Sequence, residues 1–107
     1  MSDTYTVVNP ATEQAVADVQ MADLAAVDAA IDRAAAALPA WRAITPGERA
    51  TLLRRFASVV DAHVEELAEL EVRNSGHTWG NAVWEAGNVR DVLNYYSAAP
   101  ERMIGKQ

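Results

Sequence analysis

Apolar residues recur at intervals of three and four over most of the chain, a spacing that places them on one face of an α-helix. Three segments show this pattern, at about 24–38, 46–73 and 79–98. We predict a helix for each, and a kink near 61–63 in the second because it is long for a globular helix. The apolar positions are, in chain order, Leu24, Val27, Ile31, Ala34 and Leu38; Leu53, Phe56, Val60, Val64, Leu67 and Leu70; and Ala82, Ala86, Val89, Leu93 and Tyr96.

The first twenty residues follow a different pattern. The stretch "YTVV" is aromatic and β-branched, Asn9-Pro10 interrupts it, and a second extended candidate, "AVADVQ", follows. This order predicts a β-hairpin over residues 5–20. Because an isolated two-stranded hairpin is barely stable in water, the hairpin needs a surface to lie against. The predicted fold class is mostly α, with an N-terminal β-hairpin and three to four helices.

Local signals mark where the helices begin and end. Asp23 is a candidate N-cap for the first helix, which Pro39 is expected to end. The stretch "TPGE" at 45–48 has the form of a capping box with proline at the first helical position. Asp61 is expected to cap the restarted second helix. Its C-terminal stop would be Gly76, which readily adopts a positive φ.

The amino-acid composition excludes several classes of function for this chain. The chain has 107 residues, of which half are hydrophobic, a formal net charge of -6 and no cysteine. The acidic balance argues against nucleic acid and anionic membrane as partners, and the lack of cysteine excludes disulfides, a thiol nucleophile and Cys-based zinc sites. No apolar run approaches the roughly 20 residues of a membrane span, and the start lacks the layout of a secretion signal. We therefore expect a cytoplasmic protein.

The two histidines are weak candidates for chemistry. His63 and Glu66 have the spacing of a helical metal-ligand pair, but no further ligands follow at a recognisable spacing. His77 lies two residues from Ser75 and could act as a general base, yet no Gly-x-Ser-x-Gly elbow surrounds that serine. An ordinary surface helix and a helix–helix turn explain these residues better.

The remaining motifs are equally incomplete. Three glycines near the last helix follow a helix and not a strand, so they do not form a phosphate-binding loop: Gly76, Gly80 and Gly87. Trp84 and Tyr95 could line a pocket, although aromatic residues at this spacing more often belong to a core or an interface. Taken from its residues alone, the chain contains no complete active site.

The order of the pieces is more specific than any one of them. It includes "NPAT" at 9–12, "PAWR" at 39–42, "ERATLLR" at 48–54, "LAELE" at 67–71, Gly76 and Tyr95-Tyr96. In this register the chain, over essentially its whole length, resembles the amino-terminal segment of the NAD(P)-dependent aldehyde dehydrogenase family. The resemblance implies that residues 1–107 form an incomplete part of the cofactor-binding domain of a Rossmann-like α/β enzyme.

The resemblance also implies an activity. Family members oxidise aldehydes to carboxylic acids with NAD or NADP as acceptor, and they are homo-oligomers. Their catalytic cysteine, general base and cofactor-binding motifs lie further along a full-length member. We therefore assign no catalytic and no cofactor-binding residue here, and we expect the chain alone to be inactive, to hold no NAD or NADP, and to need the remainder of the enzyme as its partner.

Four positions bear on site residues of the family. Glu13 replaces the usual glycine of the first turn, a change expected to alter that turn's shape. Asn74 stands where members with a monovalent-cation site carry an aspartate that joins a backbone carbonyl near the first strand, here that of Val7 or Val8; the lost charge argues against cation binding. Trp84 and Asn88 correspond to residues that border the substrate tunnel.

Three hypotheses follow. The chain is a fragment of an aldehyde dehydrogenase, one half of a split enzyme whose second polypeptide supplies the catalytic groups, or a free-standing helical interaction module. The last predicts a compact particle with a cooperative unfolding transition. The first two predict apolar faces that lack their cover.

Overall fold

The computed structural model describes residues 3–103 and 105, and within them a β-hairpin precedes four α-helices and a short 3-10 turn. The elements are β1 Thr4–Val8, β2 Ala15–Gln20, α1 Leu24–Ala43, α2 Pro46–Ala62, α3 Val64–Ser75, α4 Trp79–Ser97 and the 3-10 turn Ala99–Glu101. The prediction of a mostly helical chain with an N-terminal hairpin is confirmed.

The hairpin is closed by a turn that places a glutamate in a strained conformation. The two strands are antiparallel and their register shifts between Val7 and Val8. In the turn, the backbone N–H of Glu13 donates to the carbonyl of Asn9 at 2.8 Å. Glu13 has a φ of 59°, a left-handed conformation that favours glycine. The glutamate therefore occupies a glycine-type position and adds strain to the turn.

Helix α1 is longer than the sequence predicts. Its start is confirmed, because the Asp23 carboxylate accepts from the backbone N–H of Ala26 at 2.8 Å. Its predicted end at Pro39 is wrong, since the helix continues through the proline to Ala43. Proline removes only one backbone donor, and the four alanines before Leu38 favour helix strongly. The chain leaves the helix only at Ile44, whose backbone is extended.

The break between α2 and α3 falls where the sequence predicts it, but its cap differs. The capping box at the start of α2 is confirmed: the hydroxyl of Thr45 accepts from the N–H of Glu48, and the Glu48 carboxylate accepts from the N–H of Thr45 at 2.7 Å. At the break, His63 and not Asp61 occupies the N-cap position of α3. The Asp61 carboxylate accepts instead from Arg90 of α4.

Two further predictions concern the ends of α3 and α4. Helix α3 ends at Gly76 with a φ of 75°, as predicted. Helix α4, for which the sequence predicts an end near 98, ends at Ser97, and Pro100 follows in the 3-10 turn. The C-cap backbone N–H of Ala98 donates to the carbonyl of Tyr96.

The core lies between α2, α3 and α4 and is made of small side chains. The buried residues are Ala50, Ala57, Val60, Ala68, Ala82 and Ser97. Several large residues that the helical pattern assigned to a buried face are exposed, among them Val89 at 49% and Tyr96 at 60%. Helices α2 and α4 approach closely through alanines, so larger side chains on either side of the contact point outward.

Helix α1 lies outside this core. It has no buried residue, and among the described elements it packs extensively against none. Leu24, the first residue of its apolar face, is 84% exposed. The radius of gyration is 18.4 Å, against about 13 Å for a compact chain of 107 residues. The described chain is therefore an extended body with a thin helical core.

Candidate functional site

Trp84 and Asn88 lie one turn apart on α4 and line a hollow of about 250 Å³ between this helix and the start of α3. The residues around it are Val64, Val83, Trp84, Gly87, Asn88, Arg90 and Asp91. The structure therefore brings together the two residues that the family resemblance assigns to a substrate tunnel. Trp84 is 68% exposed, so the indole is available to a further surface or a ligand.

The charged side of this hollow is formed by Arg90 and Asp91, and Arg90 also reaches Asp61 on α2. The Nη1 of Arg90 donates to Asp61 at 2.7 Å, and its Nε donates to Asp91 at 2.8 Å. The hydrogen bond from Arg90 lowers the pKa of the Asp91 carboxyl, and the two carboxylates raise the pKa of Arg90. The lowered pKa keeps Asp91 ionised and paired with Arg90 at neutral pH, so Asp91 is not a poised general base. Asp61 is engaged by the same guanidinium.

Sequence reasoning missed this cluster. Arg90 and Asp91 are adjacent in the chain, but the partner on α2, Asp61, is 29 residues away. Only the tertiary packing of α2 on α4 shows that these side chains meet. The one available signal was the pair of opposite charges in "VRDV", which does not identify a third member.

The turn between α3 and α4 does not form a nucleophile–base pair. The hydroxyl of Ser75 donates to the backbone carbonyl and the carboxylate of Glu71, at 2.9 and 2.8 Å. His77 faces Glu85 of α4, with 3.1 Å between Nε2 and the carboxylate oxygen. Ser75 and His77 thus have separate acidic partners, and the geometry fits two links that hold the turn to its helices.

His63 is likewise engaged by the backbone of its own segment. Its Nδ1 lies 2.8 Å from the carbonyl oxygen of Val59. Over residues 3–103 and 105, no three His, Cys, Asp or Glu side chains are grouped so that they could hold a metal ion. The spacing of His63 and Glu66 is therefore not part of a larger ligand set in this region.

The candidate cation residues lie on neighbouring elements. Val7 is half-buried in β1, beside the irregularity in the strand pairing, and Asn74 is exposed in the last turn of α3. The two elements meet just beyond these residues, where Pro10 of the hairpin turn lies against Gly76. The fold thus brings the end of the hairpin and the end of α3 to one place.

The described elements do not fit a dinucleotide. A pyrophosphate site of the Rossmann type needs a parallel strand followed by a glycine-rich turn into a helix. The sheet formed by the described residues is an antiparallel hairpin, Gly76 ends a helix, and Gly80 and Gly87 lie within α4. We therefore derive no step through NAD or NADP on this part of the molecule.

A second feature is an apolar groove of about 450 Å³ on the opposite side of α4. Its lining residues are Phe56, Val60, Leu67, Glu71, Ala82, Glu85, Ala86 and Val89. The two glutamates are already engaged, one by Ser75 and one by His77.

Within the part of the chain that is described, no helix is long and apolar enough to cross a membrane.

Comparison with known sequences supplies the family. The model of the aldehyde dehydrogenase family matches residues 1–107. The phenylacetaldehyde dehydrogenase of Pseudomonas fluorescens is 44% identical over 105 residues, which cover 95% of this chain and 21% of that protein. The malonate-semialdehyde dehydrogenase of Pseudomonas aeruginosa is 35% identical over 100 residues, which cover 94% of this chain and 20% of that protein.

Comparison with solved structures agrees. The lactaldehyde dehydrogenase of Escherichia coli superimposes with a TM-score of 0.94 and 28% identity, over 99% of this chain and 22% of that one. The NAD-dependent benzaldehyde dehydrogenase of Corynebacterium glutamicum gives 0.91 and 29%, over 97% of this chain and 23% of that one. The chain spans about a fifth of the length of these relatives. By both sequence and fold, it belongs to the aldehyde dehydrogenase family.

Proposed function

We propose that this chain is the amino-terminal part of an NAD(P)-dependent aldehyde dehydrogenase and that it oxidises aldehydes only together with the remaining four-fifths of the enzyme. The observation that carries this proposal is the open form of a chain that aligns with only a fifth of the length of each relative. Its role would be to cover the catalytic body and to contribute one wall of the substrate tunnel.

The amount of exposed surface supports a missing neighbour. The chain exposes 8491 Å², whereas a folded monomer of 11.6 kDa exposes about 5,800 Å². The excess is roughly three times the 800 Å² or so that one partner contributes to a standard protein interface. The excess includes the apolar face of α1 and the groove beside Phe56 and Val89. A free-standing soluble helical module rarely exposes so much apolar surface.

The chemistry of the described residues supports the same division of labour. The carboxylate beside Trp84 and Asn88, that of Asp91, is paired with Arg90, and Ser75 and His77 have separate partners. With no cysteine in the chain, the thiol that attacks the aldehyde in the family would come from the remainder, as would the NAD(P) site that accepts the hydride. This chain would then shape the approach to that thiol.

A pair of experiments tests the proposal. The purified 107-residue chain is expected to form no NADH or NADPH when aldehyde and NAD or NADP are supplied. A chimera in which residues 1–107 replace the matching segment of the Pseudomonas fluorescens enzyme is expected to be soluble and active. Aldehyde-dependent activity of the chain alone, or an inactive chimera beside an active parent enzyme, would contradict the proposal.

The same proteins distinguish the fragment hypothesis from the split-enzyme and interaction-module hypotheses. If the remainder of the Pseudomonas fluorescens enzyme, made as a second polypeptide, gains activity when the chain is added, two polypeptides can share the fold. A sharp thermal transition of the chain alone, without binding of an apolar dye, would instead favour the free-standing module.

The individual site residues are tested within the chimera. Trp84→Ala and Asn88→Ala are expected to change kcat/KM for aromatic relative to aliphatic aldehydes, because both side chains would face the tunnel. Asn74→Asp is expected to add a dependence on K⁺ or Na⁺, because it would supply a carboxylate near the carbonyl of Val7. An unchanged aldehyde preference, or no effect of either ion, would remove the corresponding residue from the site.

A further inference from the structure

Helix α1 is held to the rest of the chain mainly near its ends. No residue along its length is buried. At one end, the hairpin that precedes it touches α3, where Pro10 lies against Gly76. At the other end, only two residues, Ile44 and Thr45, separate α1 from α2. The hairpin and α1 together therefore form an arm, residues 4–43, whose direction depends on these two points.

The corner between α1 and α2 is fastened by one side chain. The Nη1 of Arg49, in the first turns of α2, donates to the carbonyl of Ile44 at 2.8 Å and to that of Trp41 at 3.4 Å. Carbonyls at the C-terminal end of a helix lack intrahelical donors, and a cation there also interacts favourably with the helix dipole. Arg49 thus caps a helix to which it does not belong.

No other bond competes for this guanidinium in the described structure. Among residues 3–103 and 105, Arg49 takes part in no salt bridge, and its side chain is half-buried at the corner. A single guanidinium nitrogen that donates to two carbonyls holds both of them near one point. The contact joins the end of α1 directly to the body of α2.

We propose that Arg49 is a positioning residue that fixes the angle between the arm and the α2–α4 core, so that the apolar face of α1 stays free of that core. The angle is a property of this chain alone. That the face then receives the remainder of the enzyme rests on the proposed function.

The test measures the angle in the 107-residue chain. Because the chain has no cysteine, Asp28→Cys on α1 and Glu69→Cys on α3 give two unique attachment points for nitroxide labels, and both positions are exposed. Pulsed electron–electron double resonance then reports the distribution of distances between the two labels. We expect Arg49→Ala to widen this distribution at least twofold while helix content, measured by circular dichroism, is retained.

Two variants complete the design. Arg54→Ala is the matched control, because Arg54 also lies on α2 but donates within its own helix, to Thr51; the distribution should keep its width. Arg49→Met keeps a long side chain without a donor and should widen the distribution as well, which covers the case in which Arg49→Ala loses its helices. A width unchanged by both Arg49 variants, or a parent distribution already as wide, would overturn the proposal. Neither result depends on activity of the chimera.

Discussion

A Cβ atom placed on Gly76 would lie 2.7 Å from Cγ of Pro10, so the turn of the hairpin rests on the end of α3 with no space for a side chain between them. The same glycine has a φ of 75°, which L-amino acids with a side chain rarely adopt. Gly76 therefore both ends α3 and allows the turn of the hairpin to pack against the end of that helix.

Gly76→Ala is expected to destabilise the chain by about 1–2 kcal/mol from the left-handed backbone alone, with a further loss from contact with Pro10. Gly80→Ala is the matched control, since Gly80 lies within α4 and a Cβ there meets nothing within 4 Å. Because Gly80 lies in the first turn of α4, alanine there should stabilise the helix by somewhat less than the roughly 1 kcal/mol of a helix interior. Helix content followed during heating should move in opposite directions for the two variants, and a shift of the same sign would contradict the assignment.

The Arg90 cluster predicts that its two acids contribute unequally to thermal stability. Asp61→Asn should lower the thermal midpoint more than Asp91→Asn, because Asp61 ties α2 to α4 across 29 residues, whereas Asp91 is next to Arg90 in any conformation. Both effects should shrink in high salt, since the groups are exposed and therefore screened. Equal midpoints for the two variants in low salt would show that the link between the helices contributes nothing.

The capping box predicts a dependence on pH. The backbone N–H of Thr45, and then its hydroxyl, donate to the Glu48 carboxylate and lower its pKa below the ordinary 4.5. A lowered folded-state pKa means that the stabilisation is present above pH 4.5 and disappears as the pH falls through the lowered value. Chemical denaturation of the chain and of Glu48→Gln, which keeps an acceptor but not the charge, should therefore differ at pH 7 and converge in acid.

Thr45→Ala serves as the control for that titration. It removes the hydroxyl that accepts from the Glu48 backbone and should cost about 1 kcal/mol. Because this bond involves no ionised group, part of the loss should persist in acid. A difference between the chain and Glu48→Gln that stays constant from pH 7 to pH 2 would contradict the role of the carboxylate.

Pro39 predicts that α1 carries a local weakness. A proline within a helix is roughly 3 kcal/mol less favourable than alanine, and α1 has no tertiary packing to offset it. Pro39→Ala should therefore raise the protection of α1 amides in hydrogen exchange, most of all for residues 36–43. Protection in α4 should not change, and it provides the internal reference. Unchanged protection on both sides of residue 39 would show that the proline does not limit the helix.

The accuracy of sequence reasoning here depends on the range of the interaction. The caps at Asp23, Thr45 and Gly76 are confirmed because each is decided by bonds to residues within four positions. Asp61 was assigned to a local cap, but its carboxylate is taken by Arg90, which only the packing of α2 on α4 brings near. The wrong prediction at Pro39 has a different cause. The competing signal is local as well, because the alanines at 34–37 favour helix enough for α1 to continue through the proline.

Burial is the property that the pattern predicts least well. A spacing of three and four shows which residues share a face, as for Val89 and Tyr96, but not whether anything lies against that face. In the described structure little lies against this face, so these residues are exposed. The tunnel residues Trp84 and Asn88 came from the resemblance, and the structure adds only that they share one hollow.

The exposed face of α1 has a consequence for the order of events on the ribosome. In an enzyme of the relatives' length, about 400 residues would still be untranslated when residue 107 emerges, which takes roughly 20–80 s at 5–20 residues per second. During that interval Leu24, Val27 and Ile31 would face water or a chaperone. Nascent chains stalled just after this point should therefore be strong clients of a holdase.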